Sequence, residues 1–175
     1  MKLQNITTWL QRVYVTVMMV IVGRALSALS RIDDDAKAEI KGLPDNYLIQ
    51  MVVVPSGPSF IVKTRGDGTL EVVGKSSEKA DLAIKFKHLS HAFSVLSFQE
   101  GTAEAFTKDR MVADGELSAS IRLVRILNRL ESIILPKFIA KRAVKRYPEN
   151  LGCMEKITKA VRIYALVVRH LIIGS

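Results

Sequence analysis

Apolar and polar residues alternate through Ala80-Asp81-Leu82-Ala83-Ile84-Lys85-Phe86, placing Leu82, Ile84 and Phe86 on one face of a strand and Asp81 and Lys85 on the other. Beyond Phe86 the period lengthens to that of helices. Leu89 to Phe98 reads as a short helix burying Ala92, Phe93, Val95 and Leu96, Gly101 breaks it, and Ala103 to Lys108 adds a further turn or two. Arg110 to Asp114 is a second short strand, stopped by Gly115. From about Glu116 to Leu135 the pattern predicts the longest clean helix, with Leu117, Ile121, Val124, Leu127 and Leu130 as its apolar stripe. Arg122, Arg125, Arg129 and Ser132 form the opposite stripe.

Upstream, three segments rich in β-formers make a meander: Tyr47 to Val54, Ser59 to Arg65, and Thr69 to Val73. Pro55-Ser56-Gly57-Pro58 joins the first two and Gly66-Asp67-Gly68 the last two. The second turn lacks the following helix and the Lys-Ser/Thr ending of a phosphate loop, so a hairpin explains it. Phe60 and Val62 face one side of the sheet, Ile61 and Lys63 the other. Asp33-Asp34-Asp35 invites a metal reading, but successive carboxylates at a helix start diverge. They suit the capping and charging of a helix from Asp35 to Lys41, which Gly42 and Pro44 end.

The succession "ADLAIKF", an apolar helix, "EGTAEAF", "RMVADGEL" and a long amphipathic helix resembles the sterol carrier protein type two superfamily of small lipid-binding domains, over roughly Asp35 to Leu135. The resemblance implies an α+β fold: a five-stranded, mostly antiparallel sheet covered by helices on one face, enclosing an apolar tunnel for a lipid chain or sterol. It also implies a variant, since some bacterial relatives hold quinone precursors for other enzymes. Here the fold would carry extra apolar and basic helices at both ends, dividing the chain into residues 1–31, 32–136 and 137–175.

Charge sharpens this division. The net of +9 is spread as +3 over residues 1–30, −1 over 31–136 and +7 over 137–175, so the positive excess lies on the two greasy ends. The uncharged run Val13 to Gly23 spans roughly 16 Å as a helix, about half a hydrocarbon core. It is too short to cross unaided, and its competitors are a secretory signal, with Ala25-Leu26-Ser27-Ala28 imitating a cleavage site, and a helix lying in the membrane interface or packing on another helix. Arg12 and Arg24 disfavour the signal. Trp9 and Tyr14 suit an interfacial position or ordinary packing. Between Lys137 and Arg146 five of ten residues are basic and interleaved with aliphatic residues, which favours an anionic bilayer over nucleic acid. A last helix, about Gly152 to Ile173, sets Ile157, Val161, Tyr164, Val168 and Leu171 on one face, broadened by Ile163, Leu166 and Val167. It either docks on the domain or on lipid.

Reactive groups are sparse. His88 and His91 are half of a metal site without further ligands in recognisable register, and no metal is expected. The lone Cys153 excludes an internal disulfide framework, fits a reducing compartment, and has no evident His partner. Serine nucleophile elbows, dinucleotide loops and paired Cys motifs are missing.

These readings lead to a noncatalytic lipid-binding protein without cofactors, cytoplasmic and peripherally membrane-associated, carrying or presenting a sterol, fatty acyl chain, isoprenoid quinone or phospholipid. Expected cavity residues are Phe86, Phe93, Leu96, Phe98, Phe106, Met111, Ile121, Val124, Leu127 and Leu130. Expected membrane contacts are Trp9, Arg12, Arg24, Lys141, Arg142, Lys145, Arg146, Lys156, Lys159 and Arg162. A rival is a protein-interaction or self-assembling module with a solid core, forming homo-oligomers through its terminal helices. An enzyme would have to use His88 or Glu116.

Overall fold

The computed structural model describes residues 2–74, 79–134 and 153–173. Its elements run α1 (Lys2–Ile32), α2 (Asp34–Lys41), β1 (Leu48–Val53), β2 (Ser59–Thr64), β3 (Leu70–Val73), β4 (Leu82–Phe86), α3 (Leu89–Leu96), α4 (Thr102–Thr107), β5 (Met111–Asp114), α5 (Leu117–Ile134) and α6 (Cys153–Ile173). The five strands make one sheet in the order β3-β2-β1-β4-β5. Three pairings are antiparallel and β1 with β4 is parallel, so the sheet is mixed and mostly antiparallel, as expected.

Register lines up one apolar row across the sheet, Phe60 opposite Met51, Met51 opposite Ile84, and Ile84 opposite Ala113. A second row joins Val53, Phe86 and Met111. Leu82, Ile84 and Phe86 are each at most 1% exposed, which confirms the face read from their alternation. Lys85 on the other face pairs with Asp114 on β5. Asp81 accepts a hydrogen bond from the backbone N–H of Leu48 at 2.8 Å, tying the start of β1 to the approach of β4.

The β2–β3 hairpin closes as its sequence implies. Asp67 accepts from the Thr69 N–H and hydroxyl, and Gly68 takes the left-handed φ of 84° that the turn needs. Gly115 is a stricter case: its φ is 148°, and an added Cβ would lie 2.6 Å from the Asp81 carbonyl oxygen. Gly42 follows α2 at an ordinary φ of −80°; its small size instead makes room for the Arg122 guanidinium, which a Cβ would meet at 2.3 Å.

α1 packs into the fold rather than lying outside it. Val15, Met19, Leu26 and Leu29 belong to the same core cluster as the sheet, and Ala25-Leu26-Ser27-Ala28 is buried there. The helix approaches β2 so closely at Gly23 that a Cβ would sit 3.0 Å from the Phe60 ring. Two buried hydroxyls fasten it to the edge strand: Ser27 donates to the Leu70 carbonyl at 2.6 Å, and Ser30 accepts from the Leu70 N–H at 2.9 Å. Tyr14 packs its ring edge-on to Phe93 at 5.2 Å and donates to the Leu96 carbonyl. The uncharged run Val13 to Gly23 is only the middle of this helix, which runs on through Arg12 and Arg24. Thr7–Ile32, 26 residues containing an 18-residue stretch of mean hydropathy 1.8, is long and apolar enough to cross a membrane, yet 56% of that 18-residue stretch is buried inside the protein.

Asp33 is the knot between helices. It is 2% exposed, caps α2 by accepting from the Ala36 N–H at 3.0 Å, and binds Arg129 of α5 at 3.0 and 3.2 Å. Lys159 of α6 reaches the same carboxylate at 2.8 Å. Burial alone would raise this carboxyl, but the hydrogen bonds from Arg129, Lys159 and Ala36 outweigh it and hold Asp33 below the usual carboxylate range. The acidic triplet is therefore a cap, with its first member also anchoring two distant helices.

Both long C-terminal helices bury faces other than those expected. On α5 the covered stripe is Ala119, Leu123, Ile126, Leu127, Leu130 and Ile133, while Leu117 is 74% and Ile121 45% exposed. Ser132, assigned to the polar side, is fully buried and donates to the Arg129 carbonyl. Two adjacent apolar stripes compete on this helix, and the ion pairs of Arg122, Arg125 and Arg129 with Glu39, Asp33 and Asp35 fix its rotation about its axis. On α6 the buried residues are Lys156, Ile163 and Val167; Ile157, Val161, Tyr164 and Val168 are half or more exposed.

Candidate functional site

An apolar hollow lies between the sheet and its helices. Met51, Phe86 and Met111 form its floor, Met18, Ile21, Val22 and Ala25 of α1 its roof. Its sides are Val95, Leu96 and Phe98 from α3 and the turn after it, Thr102 of α4, and Leu127, Leu130, Glu131 and Ile134 of α5. The hollow with its mouth encloses about 590 Å³, of which about 60 Å³ is wide enough to admit the centre of a water-sized body. Met18, Ile21, Phe98 and Ile134 are partly exposed and mark its open side, whereas Phe86, Met111 and Leu130 at its base are at most 2% exposed.

The interior is thus neither filled wall to wall nor spacious. A pocket for a drug-sized ligand is typically about 300–1,000 Å³, so a long ligand needs the narrow crevices to widen. Three of the lining side chains are methionines, Met18, Met51 and Met111, and unbranched thioethers can repack around an intruding chain. Phe98 sits at a φ of 59°, in the left-handed region, just beyond the C-terminus of α3.

Of the expected cavity residues, Phe86, Leu96, Phe98, Met111, Leu127 and Leu130 line the hollow. Phe93 instead packs on Tyr14, Phe106 backs the core, Val124 is half-buried away from the hollow, and Ile121 faces outward. The largest omission is the roof. The apolar run of α1 reads equally well as an interfacial helix, and nothing local to it shows that it closes over the sheet.

Glu131 is the second omission. Its spacing gives no sign of it, one turn beyond Leu127 and beside Leu130. Among the described residues it is the only ionisable side chain lining the hollow. The Thr102 hydroxyl donates to its Oε1 at 3.4 Å, while its Oε2 is buried with no donor among the described residues. Burial raises its carboxyl from 4.5 to about 7, against a smaller opposing effect of the Thr102 hydrogen bond.

The expected membrane contacts separate into groups. Trp9 is 62% exposed, Arg162 is exposed, and Arg12 is exposed while donating to the Ser56 carbonyl. Arg24 is half-buried. Lys156 and Lys159 lie on the docked side of α6, and Lys159 pairs with Asp33 and Glu155, so both are withdrawn from any outward-facing surface. Lys141, Arg142, Lys145 and Arg146 lie outside the described residues. His88 and His91 stack edge-on at 5.1 Å, and among the described residues no group of three or more His, Cys, Asp or Glu is arranged to hold a metal ion.

No family model matches this sequence, and no curated protein matches it. Among solved structures the chain is similar in fold to sterol carrier protein 2 domains. One is a ubiquinone synthesis protein, UbiJ-SCP2, 13% identical with a TM-score of 0.43, the match covering 66% of this chain and 94% of that one. Sterol carrier protein domain 2 of Helicoverpa armigera is 13% identical with a TM-score of 0.45, covering 62% and 84%. Sterol carrier protein 2 from Yarrowia lipolytica, in its apo form, is 18% identical with a TM-score of 0.40, covering 62% and 85%.

Proposed function

We propose that this protein binds a lipid in the hollow beneath α1 and carries or presents it at a membrane surface, without doing chemistry on it. The hollow itself carries the reading: of its 15 lining side chains only Thr102 and Glu131 are polar. Transfer of hydrocarbon from water into such a space yields about 0.8 kcal/mol per methylene. Dry walls of Met, Leu, Val and Phe suit an acyl, isoprenoid or sterol skeleton and reject a polar metabolite.

The outer face supports the second half of the proposal. Trp9, Leu10, Val13, Val17 and Val20 form an exposed stripe on α1, whose other side roofs the hollow. One helix therefore faces outward with apolar side chains and inward on the cavity, so insertion of its outer stripe among lipid headgroups would bring the hollow to the bilayer. Arg12 and Arg162 supply exposed cations for anionic headgroups.

Mass spectrometry of lipids extracted from gently purified protein tests the cavity, and near-stoichiometric lipid is the expected result; lipid-free protein would refute it. Flotation with anionic vesicles tests the surface. Because α1 is part of the core, the informative variants are point changes such as Trp9→Gln with Val17→Gln, which should abolish flotation while leaving the fold intact.

A second reading has its own observation. Met154, Ile157, Val161, Tyr164 and Val168 are exposed on α6 at the three-four spacing of a helix-pairing seam. Light scattering on the full chain would reveal a dimer, and Val161→Glu would dissolve it if this seam holds it together.

A further inference from the structure

The hollow has one polar corner. Thr102 is 3% exposed and its hydroxyl reaches Glu131 Oε1 at 3.4 Å, a long contact that leaves the hydroxyl only weakly engaged. Glu131 Oε2 is buried with no donor among the described residues. Burying a carboxyl without partners is unfavourable, and nothing in the fold relieves it. Leu127, Leu130 and Ile134, its neighbours on α5 along the hollow, offer no hydrogen bond.

The other charged groups on the surrounding elements point elsewhere or are paired: Arg24 of α1, whose Nη1 is buried without a partner, lies in the clefts beside Phe60 and Ala28 and not in the hollow. Glu100, between α3 and α4, is held by Arg110 and Lys108. Arg129 on α5 is bound to Asp33 and Asp35. Tyr14 of α1 donates to the Leu96 carbonyl, and Tyr164 of α6 donates to the Ile134 carbonyl. On α3, His91 stacks on His88 and is not among the lining residues. Among the described residues no cation lines the hollow, so a ligand carrying a negative charge would find no counter-ion among them and would meet a carboxyl instead.

We propose that Thr102 and Glu131 form the head-group subsite of this hollow, and that its ligand is a neutral lipid bearing a hydroxyl or carbonyl at one end, selected over a fatty-acid anion. The inference rests on the reading of the hollow as a lipid pocket and adds the class of lipid. A ligand hydroxyl donates to Glu131 Oε2 and accepts from the Thr102 hydroxyl. A ligand carbonyl accepts from Thr102, and from Glu131 when that carboxyl carries its proton. Once Glu131 has lost its proton, as at pH 8, an anionic carboxylate can enter only by setting two like charges side by side in an apolar wall, a disfavoured arrangement.

The test is displacement of a neutral fluorescent probe, N-phenyl-1-naphthylamine, from the delipidated full chain at pH 8 by tetradecan-1-ol and by tetradecanoate. The alcohol should displace the probe at a concentration at least about tenfold lower than the carboxylate, the discrimination expected from one charge-assisted hydrogen bond. Glu131→Gln, which keeps an acceptor and a donor without charge, should retain alcohol binding and admit tetradecanoate more readily. Glu131→Leu should weaken the alcohol about tenfold, and a circular dichroism spectrum and melt matching wild type show that the variant folds. Equal displacement by alcohol and carboxylate in the wild type, or an unchanged alcohol affinity in Glu131→Leu, would overturn the subsite and leave the apolar pocket standing. Failure of the wild type to bind the probe or either lipid would overturn the pocket, and the subsite with it.

Discussion

Replacing Asp33 with Ala should loosen the whole helical layer, because one carboxylate serves three helices. It caps α2 through the Ala36 N–H, and loss of such a cap costs about 1 kcal/mol. It also neutralises Arg129 and Lys159, whose side chains are only 16% and 19% exposed. Stripping the anion from a buried pair costs about 3–5 kcal/mol. Here the lower end applies, since Arg129 keeps Asp35 at 2.8 Å and Lys159 keeps Glu155 at 2.8 Å. The expected loss is about 3–4 kcal/mol, a large fraction of the roughly 5–15 kcal/mol that holds a domain folded. Urea denaturation followed by circular dichroism measures it, and α6 should become the first site of limited proteolysis. The Asp33 carboxyl is held below 3.8, so its contribution is present above that pH and fades as pH falls through the lower folded-state value. Wild type and variant should therefore converge in acid. Adding Lys159→Met to Asp33→Ala should recover part of the loss by removing the stranded cation. A destabilisation under about 1 kcal/mol, or one unchanged between neutral and acid pH, would refute the assignment of Asp33 as the shared anchor.

Glu131 gives the opposite pH dependence: its carboxyl is raised from 4.5 to about 7, so stability should fall as pH rises through that window. At about 1.4 kcal/mol per pH unit the loss is on the order of 3 kcal/mol, and Glu131→Gln should flatten the curve in thermal melts. Gly115→Ala should destabilise by at least about 2 kcal/mol in the same urea assay, because its φ of 148° disfavours a side chain and its Cβ would press on the Asp81 carbonyl. Met18→Trp should fill the roof of the hollow and abolish copurifying lipid, with a stability change within about 2 kcal/mol by calorimetry.

How much of this was legible in the chain differs from element to element. Strands announce themselves because the side-chain period is two: the alternation from Leu82 to Phe86 admits one buried face, and that face is buried. Turn residues are equally direct, since Gly68 and Gly115 occupy backbone conformations that other residues resist. Phe86, Leu96 and Met111 could be named in advance because strand β4, helix α3 and strand β5 each have a single apolar side, and Leu127 and Leu130 because the expected and the buried stripes of α5 share them.

Helix rotation was not legible, because α5 and α6 each carry two adjacent apolar stripes of similar strength. Which stripe is buried depends on partners far away in sequence, such as Glu39 for Arg122, and Asp33 for Arg129 and Lys159. The role of α1 was hidden for the same reason. A long apolar helix is compatible with a membrane, a partner or a core, and only Gly23 against Phe60 and the Ser27 and Ser30 bonds to Leu70 reveal a roof. By itself, then, the sequence determined the strands, the turns, the mixed α+β composition and the greasy, basic ends, all of which follow from local periodicity and backbone preference. Tertiary structure alone decided that α1 closes over the sheet, that a hollow remains beneath it, and that one carboxyl stands unpaired in its wall. Those features depend on how surfaces meet, and residues distant in the chain meet only once it has folded.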